Sequence, residues 1–468
     1  MIASLSLARL AGAAAVVLAY LLMCGWVVLG VARERRAAAA RAAQLAPAGG
    51  GKPVLVAFAS QTGVSEELAW HTGRLLHTAG EAVQVLPLAQ VDRAVLAGVE
   101  RALFIVSTYG EGDPPDAGVP FARSVMAAAP DLSHLQYAVL ALGDATYANY
   151  CGFGRALDGW LGARGARPQF DRIDVDRADS EAIARWQHHL GHIATLADAP
   201  AWETPGFDNW TLAVREHLNP GSEGQPVFHL ELLPPADAPA GAPSWSSGDL
   251  VQVQPPADPS HAREYSIGSI AADVRVHLLV RRQLRADGTP GTASGWLTGM
   301  QRPHPEPVLP IGGTVPLRLR AHRNFRLGDN AALPLIFIGN GTGLAGLRGH
   351  LKARAVAGQR RNWLLFGERH EAHDFLYRRD IEGWKAAGIL ERIDLVFSRD
   401  LPVKTYVQDR LRNESDTVRA WLAQGAAIYV CGSLDGMAAG VDAALRDIAG
   451  SEAIDALAAA GRYRRDVY

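Results

Sequence analysis

Ser60-Gln61-Thr62-Gly63-Val64-Ser65 places three hydroxyls, an amide and a glycine directly after the apolar run 54–58. A parallel strand that ends in such a turn and enters a helix presents free backbone N–H groups to a phosphate. The loop holds no Lys or Arg, so it suits one monophosphate held by dipoles and hydroxyls. The Gly-Lys-Ser/Thr ending of a P-loop NTPase is absent. A loop of a different kind, Gly339-Asn340-Gly341-Thr342-Gly343, follows the apolar run 335–338. Two such loops predict two nucleotide sites in two domains, which points to electron relay.

Other residues extend these sites. Thr108-Tyr109-Gly110-Glu111-Gly112-Asp113 and Leu142-Gly143-Asp144-Ala145-Thr146-Tyr147 each bring one tyrosine. Two aromatic rings can sandwich a flat heterocycle. Ser398, Arg399, Lys404, Tyr406 and Gln408 form a cationic, hydrogen-bonding set suited to a nucleotide 2′-phosphate. A free ribose hydroxyl would call for a carboxylate instead; Asp400 is near, but two cations outweigh it. Arg263-Glu264-Tyr265-Ser266 offers a cation, a ring and a hydroxyl on one strand. Gly291-Thr292-Ala293-Ser294 reads as a helix start able to receive a diphosphate. Cys431 ends an apolar run, where a buried structural thiol is the ordinary reading.

The elements that must carry these residues follow from length and texture. A chain of 468 residues is long enough for about three domains. Lys and Arg number 46 against 48 Asp and Glu, so no nucleic-acid role is suggested. The three cysteines, Cys24, Cys151 and Cys431, make neither a disulfide framework nor a zinc pattern. Residues 10–32 carry no charge, and a helix of that length reaches about 34 Å, enough to span a hydrocarbon core. Arg33, Arg35, Arg36 and Arg41 follow it and only Arg9 precedes it. That bias predicts a single-pass inner-membrane protein with its catalytic domains in the cytoplasm. A cleaved signal peptide would carry its arginines ahead of the apolar run.

The expected fold is α/β and multidomain. It begins with a transmembrane anchor over 1–32 and an Ala/Arg/Gly-rich tether over 33–52. From 53 to 198, strands alternate with helical patterns, as in a doubly wound parallel sheet. Short β-like runs separated by Pro, Gly and Asp predict an antiparallel barrel over 207–328. Alternation returns over 329–468. The polar and glycine-rich clusters repeatedly follow the C-terminal ends of apolar runs, the edge at which open parallel sheets bind ligands.

Ser60–Ser65, Thr108–Asp113 and Leu142–Tyr147, with Cys151-Gly152-Phe153-Gly154, resemble the FMN-binding loops of flavodoxin-like domains in diflavin reductases. The resemblance implies that Tyr109 and Tyr147 flank the flavin ring. Glu111, Asp113, Asp116 and Asp144 would then ring its exposed edge and steer a basic acceptor protein. Arg263–Ser266 with Gly291–Ser294 resembles the FAD site of ferredoxin-NADP reductase-like domains, except that Ala293 stands where a cysteine is common. The run from Ser398 to Gln408 resembles the NADP-selective element of the same reductases, with Gly339, Gly341, Thr342 and Gly343 on the coenzyme diphosphate. The resemblance further implies a hydride-transfer group of Ser266, Cys431 and Asp466. The ending Arg462-Tyr463-Arg464-Arg465-Asp466-Val467-Tyr468 is similar to that of NADPH-sulfite reductase flavoproteins and implies that Tyr468 stacks on the FAD ring. The helical connecting insert of these relatives is missing.

The function so implied is NADPH to FAD to FMN to a one-electron acceptor, a haemoprotein or a ferric complex at the membrane. Its alternatives are a ferric iron or ferric-siderophore reductase, and a non-enzymatic anchored flavin carrier with a dead NADPH site.

Overall fold

Every residue of strand β1 (Val54–Ala59) is buried, as a central parallel strand covered on both faces requires. The computed structural model describes residues 52–110, 112–128, 130–145, 147–177, 179–193, 206–236, 244–259, 261–285, 287–299 and 308–467. In it β1 pairs in parallel with β2 (Val83–Pro87) and β3 (Arg101–Ser107). Beyond β3 lies β4 (Gln136–Gly143), which pairs with β5 (Arg167–Pro168) and β6 (Ile173–Asp176). The strand order 2-1-3-4 reverses direction at β1, so the loops after β1, β3 and β4 open on one edge.

Helix α1 (Val64–Thr78) places Leu68, Ala69, Leu75 and Leu76 against Val54 and Val56. On the other face, α2 (Gly152–Ala163) packs Phe153, Leu157 and Leu161 against Leu55, Phe104 and Val139. Trp186 of α3 (Ser180–Ile193) joins the α1 side and donates its Nε1–H to Thr72 Oγ1 at 3.1 Å.

The second sheet is antiparallel throughout. It contains β7 (Asp208–His217), β8 (Val227–Leu233), β9 (Leu250–Val253), β10 (Arg263–Ser266), β11 (Val276–Arg281) and β12 (Thr314–Arg320), in the order 10-9-12-7-8-11. Two residues past β10, the Gly268 N–H donates to His277 O of β11 at 2.8 Å, so the sheet curls back on itself. Trp210, Leu212, Leu230, Val251, Leu278 and Leu317 fill its interior. Helix α4 (Thr292–Leu297) follows β11. Outside the strands, the only helical segment described between α3 and α4 is the turn Ala271–Asp273. No helical connecting insert is seen there among the described residues.

The third sheet is parallel, with order 15-14-13-16-17: β13 (Leu335–Asn340), β14 (Asn362–Glu368), β15 (Arg392–Phe397), β16 (Ala427–Gly432) and β17 (Tyr463–Val467). Helix α5 (Leu344–Val356) lies between this sheet and the antiparallel one. It is buried on nearly all sides, which is why it carries buried Arg348, His350 and Arg354. One apolar cluster joins Val227, Leu279 and Phe325 to Phe337, Leu347 and Tyr429, so the two sheets share a core. The clusters of the first sheet contain only its own residues.

The inner-membrane placement expected from the N-terminus is corrected. Among the described residues no helix is long and apolar enough to cross a membrane. The segment on which the placement rested, residues 10–32, lies outside them, as does the tether.

Candidate functional site

Register brings three candidates together. Gly339, Cys431 and Asp466 are direct partners across β13, β16 and β17. Ser266, at the end of β10, donates its hydroxyl to Asp466 Oδ2 at 2.7 Å, and Cys431 Sγ lies 3.6 Å from the same oxygen. All three side chains are buried. Helix α5 passes so near that a Cβ on Gly346 would lie 3.2 Å from Cys431 Sγ and 3.7 Å from Ser266 Cβ. Burial first, and then the neighbouring Asp466 charge, hold the Cys431 thiol well above its ordinary range. It therefore stays protonated, a donor and packing group rather than a thiolate nucleophile. His322 completes the surroundings, its Nδ1 3.9 Å from Asp466 Oδ1.

The 339–343 loop caps the same row. A Cβ on Gly339 would sit 2.6 Å from Cys431 O, so glycine is what lets the strands close up here. Gly341 has φ +55° and opens the turn Gly341–Gly343, which contains Thr342. The Asn340 side chain accepts the Ser433 N–H at 2.9 Å and ties the ends of β13 and β16. Past β15, the Ser398 hydroxyl and N–H both bond Glu368 O (3.2 and 2.9 Å), while Arg399, Lys404 and Tyr406 are exposed. Gln408 of α7 (Val407–Asn413) has a buried side-chain carbonyl with no hydrogen-bond partner. Asp400 is fully engaged elsewhere: it accepts from His370 Nδ1 at 2.8 Å and from the Glu371 N–H at 2.9 Å. The 398–408 surface is therefore left cationic, which fits a 2′-phosphate.

On β10, alternation puts Arg263 and Tyr265 on one face and Glu264 with Ser266 on the other. Glu264 is not gathered into a ligand-facing set; Gln252 Nε2 (2.9 Å) and Arg320 hold it. Near Gly291, Ser294 Oγ accepts the Gln283 N–H at 3.1 Å, Thr292 Oγ1 accepts from Arg285 at 2.8 Å, and Ala293 is buried. The Arg285 cation at this helix start suits a diphosphate.

Around the first loop, Gly63 has φ +92° and precedes Val64, the first residue of α1. Ser60 Oγ accepts the N–H groups of Gly63 (2.8 Å) and Ser65 (3.3 Å), curling the loop. The buried hydroxyls of Ser65 and Tyr109 have no protein partner. A phosphate-bearing ligand would satisfy the first, so the loop fits the group expected there. Thr108 and Leu142 pair through backbone at 2.8 Å, and Gly110 (φ +52°) and Gly112 (φ +119°) turn the Tyr109 loop. Behind Gly143, the Tyr147 N–H donates to Asp144 O at 3.1 Å. Glu111 and Tyr468 lie outside the described residues. The expected acidic rim is partly neutralised within the chain: Asp116 pairs with Arg465, and Asp144 lies 3.5 Å from Arg177.

The flavodoxin family matches residues 56–187, and the oxidoreductase NAD-binding domain matches residues 337–443. The sulfite reductase [NADPH] flavoprotein alpha-component of Thiocapsa roseopersicina is 31% identical, with 84% of this chain and 83% of that one covered. Its counterpart from Neisseria meningitidis serogroup C (strain FAM18) is 30% identical, with 89% of each chain covered. The chain belongs to this family of diflavin reductases. It is an NADPH-dependent flavin oxidoreductase with FMN, FAD and NADPH as cofactors. The Neisseria match extends over 549 positions, more than the 468 residues of the whole chain, so that relative carries internal segments this diflavin reductase lacks.

Several residues at these loops escape sequence reasoning. Arg281 reaches Glu368 at 2.5 Å, beside Gly341, and Arg465 reaches Asp116 across the molecule. His322, buried next to Asp466, is a third. Arg281 ends a strand that reads as apolar alternation, and its partner is distant in sequence. Only the adjacency of Arg465 to Asp466 could have drawn attention to it.

Proposed function

We propose that this chain delivers electrons from NADPH, one at a time, to a haemoprotein of the sulfite reductase type. The Ser266–Asp466–Cys431 cluster carries the reading. It joins the antiparallel sheet to the coenzyme edge of the third sheet, and the Ser266 and Cys431 side chains share the Asp466 carboxylate. Bound FAD and FMN supply the conversion of two-electron hydride chemistry into single-electron chemistry.

The residues divide the work. Arg399, Lys404, Ser398, Tyr406 and Gln408 bind the phosphorylated ribose, and Gly339–Gly343 receives the coenzyme diphosphate. Arg263, Tyr265, Ser266 and 291–294 hold FAD. Residues 60–65, with Tyr109 and Tyr147, hold FMN. Asp466 fixes the Ser266 hydroxyl and the Cys431 thiol as donors in a water-poor site, where hydrogen bonds are strong. The name of these relatives, an alpha-component of sulfite reductase, supports a partner subunit as the acceptor.

The test is the purified protein with a haemoprotein. FMN and FAD should copurify in equal amounts, and NADPH should drive reduction of the haem. Reduction of a small dye but of no haemoprotein would overturn the acceptor while leaving the flavin chemistry intact.

A further inference from the structure

The loop 60–65 is gripped from behind by the segment that follows β12. Asn324 Nδ2 donates to Ser60 O at 3.0 Å and to Gln61 O at 3.2 Å. His322 Nε2 lies 3.2 Å from Gln61 O, and Arg320 Nη2 donates to Thr62 O at 3.0 Å. Three consecutive carbonyls are thus held by one short segment of the antiparallel sheet. Arg323 adds an ion pair to Glu66 of α1 at 2.8 Å, and a Cβ on Gly63 would lie 3.6 Å from Ala321 O. At the side, Gln61 Nε2 donates to Arg465 O at 3.3 Å.

The carbonyls of residues 60, 61 and 62 share peptide units with the N–H groups of Gln61, Thr62 and Gly63. The first of these N–H groups donates to Ser107 Oγ at 3.3 Å and the last to Ser60 Oγ at 2.8 Å, so hydroxyls hold the opposite ends of the same peptide units. A donor on the carbonyl end of a peptide unit polarises its N–H end and fixes its direction. We propose that Arg320, His322 and Asn324 are positioning residues for FMN. Docking of the antiparallel sheet on the back of the phosphate loop tightens FMN, and bound FMN tightens docking. The inference rests on assigning 60–65 to the FMN phosphate. The coupling is reciprocal by thermodynamic necessity.

Asn324 is exposed, so Asn324→Ala removes two bonds to the loop without opening a core. Equilibrium dialysis of the full-length holoprotein should show FMN bound about 3- to 30-fold more weakly, with FAD content unchanged. Removing FMN from the unsubstituted protein should raise the radius of gyration in small-angle scattering, and adding it back should reverse the change. Ser65→Ala, which alters the loop's own hydroxyl, should weaken FMN in parallel. If Ser65→Ala weakens FMN but Asn324→Ala does not, the coupling is overturned and the FMN assignment stands. If neither does, the assignment of the loop itself fails. A radius of gyration indifferent to FMN overturns the coupling, because both directions are one free energy.

Discussion

Asp400 shows how one side chain can change the meaning of a motif. Its carboxylate would suit a free ribose hydroxyl, yet His370 and the Glu371 N–H occupy it. Arg399 and Lys404 are left to set the local charge. Replacing both with alanine should raise the KM for NADPH by about ten- to hundredfold, the exposed setting keeping each charge-assisted bond modest. The KM for NADH should move less than about twofold. Equal shifts for both coenzymes, in steady-state assays, would remove the pair from the 2′-phosphate. Arg399 and Lys404 are legible in sequence because their chemistry lies within one short run. The commitment of Asp400 is not, since His370 and Glu371 come from the loop after the neighbouring strand. The Ser266–Asp466–Cys431 grouping is implied by the family resemblance, but spacing alone does not reveal the contact. It depends on which residues of β16 and β17 face each other, and one residue of slip would turn Asp466 to the opposite face.

At the scale of elements, helix α5 and the strands beneath it hold a polar network inside a shared core. His229 bonds Tyr377 through Nδ1 at 2.8 Å and Glu231 through Nε2 at 3.3 Å; His277 Nε2 lies 3.9 Å from the same carboxylate. Arg348 of α5 donates to His277 Nδ1 (3.2 Å) and Gly268 O (2.7 Å), and pairs with Asp380 of α6 (Arg378–Ala386) at 2.7 Å. Two imidazoles and a carboxylate this close have the outline of a metal site. The Arg348 bond argues otherwise: a neutral His277 that accepts at Nδ1 carries its proton on Nε2 and offers no lone pair to an ion. Burial first, then the coupling to His229 and the Arg348 cation, hold His277 down at about 4, and burial lowers His229 as well. His277 stays neutral in the folded protein down to about 4, while the unfolded chain takes up its proton below about 6.5. The His277 contribution to folding stability therefore falls as pH drops from about 6.5 to about 4 and is constant below. The thermal midpoint followed across that window checks this, and His277→Gln should flatten the slope; an unchanged slope would remove His277 as the cause. Among the elements themselves, β1, β3, β4, β13 and β16 are plain in the sequence because strands buried on both faces read as continuous apolar runs. Strand β7 is half exposed, with Trp210 and Leu212 inward and polar residues outward, and its signal sinks into that mixture.

On the scale of the whole molecule, two kinds of cohesion coexist. The second and third sheets share an apolar core, whereas the flavodoxin-like part meets them through polar contacts: Arg465 with Asp116, Arg323 with Glu66, and Arg123 with Asp455 at 2.8 Å. Salt screens the more exposed pairs, Arg323–Glu66 and Arg123–Asp455, and leaves apolar burial largely intact. Raising ionic strength from about 0.05 to 0.5 M should therefore increase the radius of gyration while the second and third sheets stay joined. A constant radius would show that the contact does not depend on these charges. That no helical insert is seen among the described residues agrees with the short chain length between motifs. The polar seam was not readable from sequence, because its partners come from residues 60–66, 116, 320–324 and 465.

The arrangement of that seam along the chain also orders events at the ribosome. Residues 60–65 and the sheet that carries them emerge and can fold long before residues 320–324 have been translated, and longer still before Arg465. During that interval nothing covers the back of the loop. The nascent flavodoxin-like part can meet FMN before its loop is gripped, and the later parts then dock on the back of that loop.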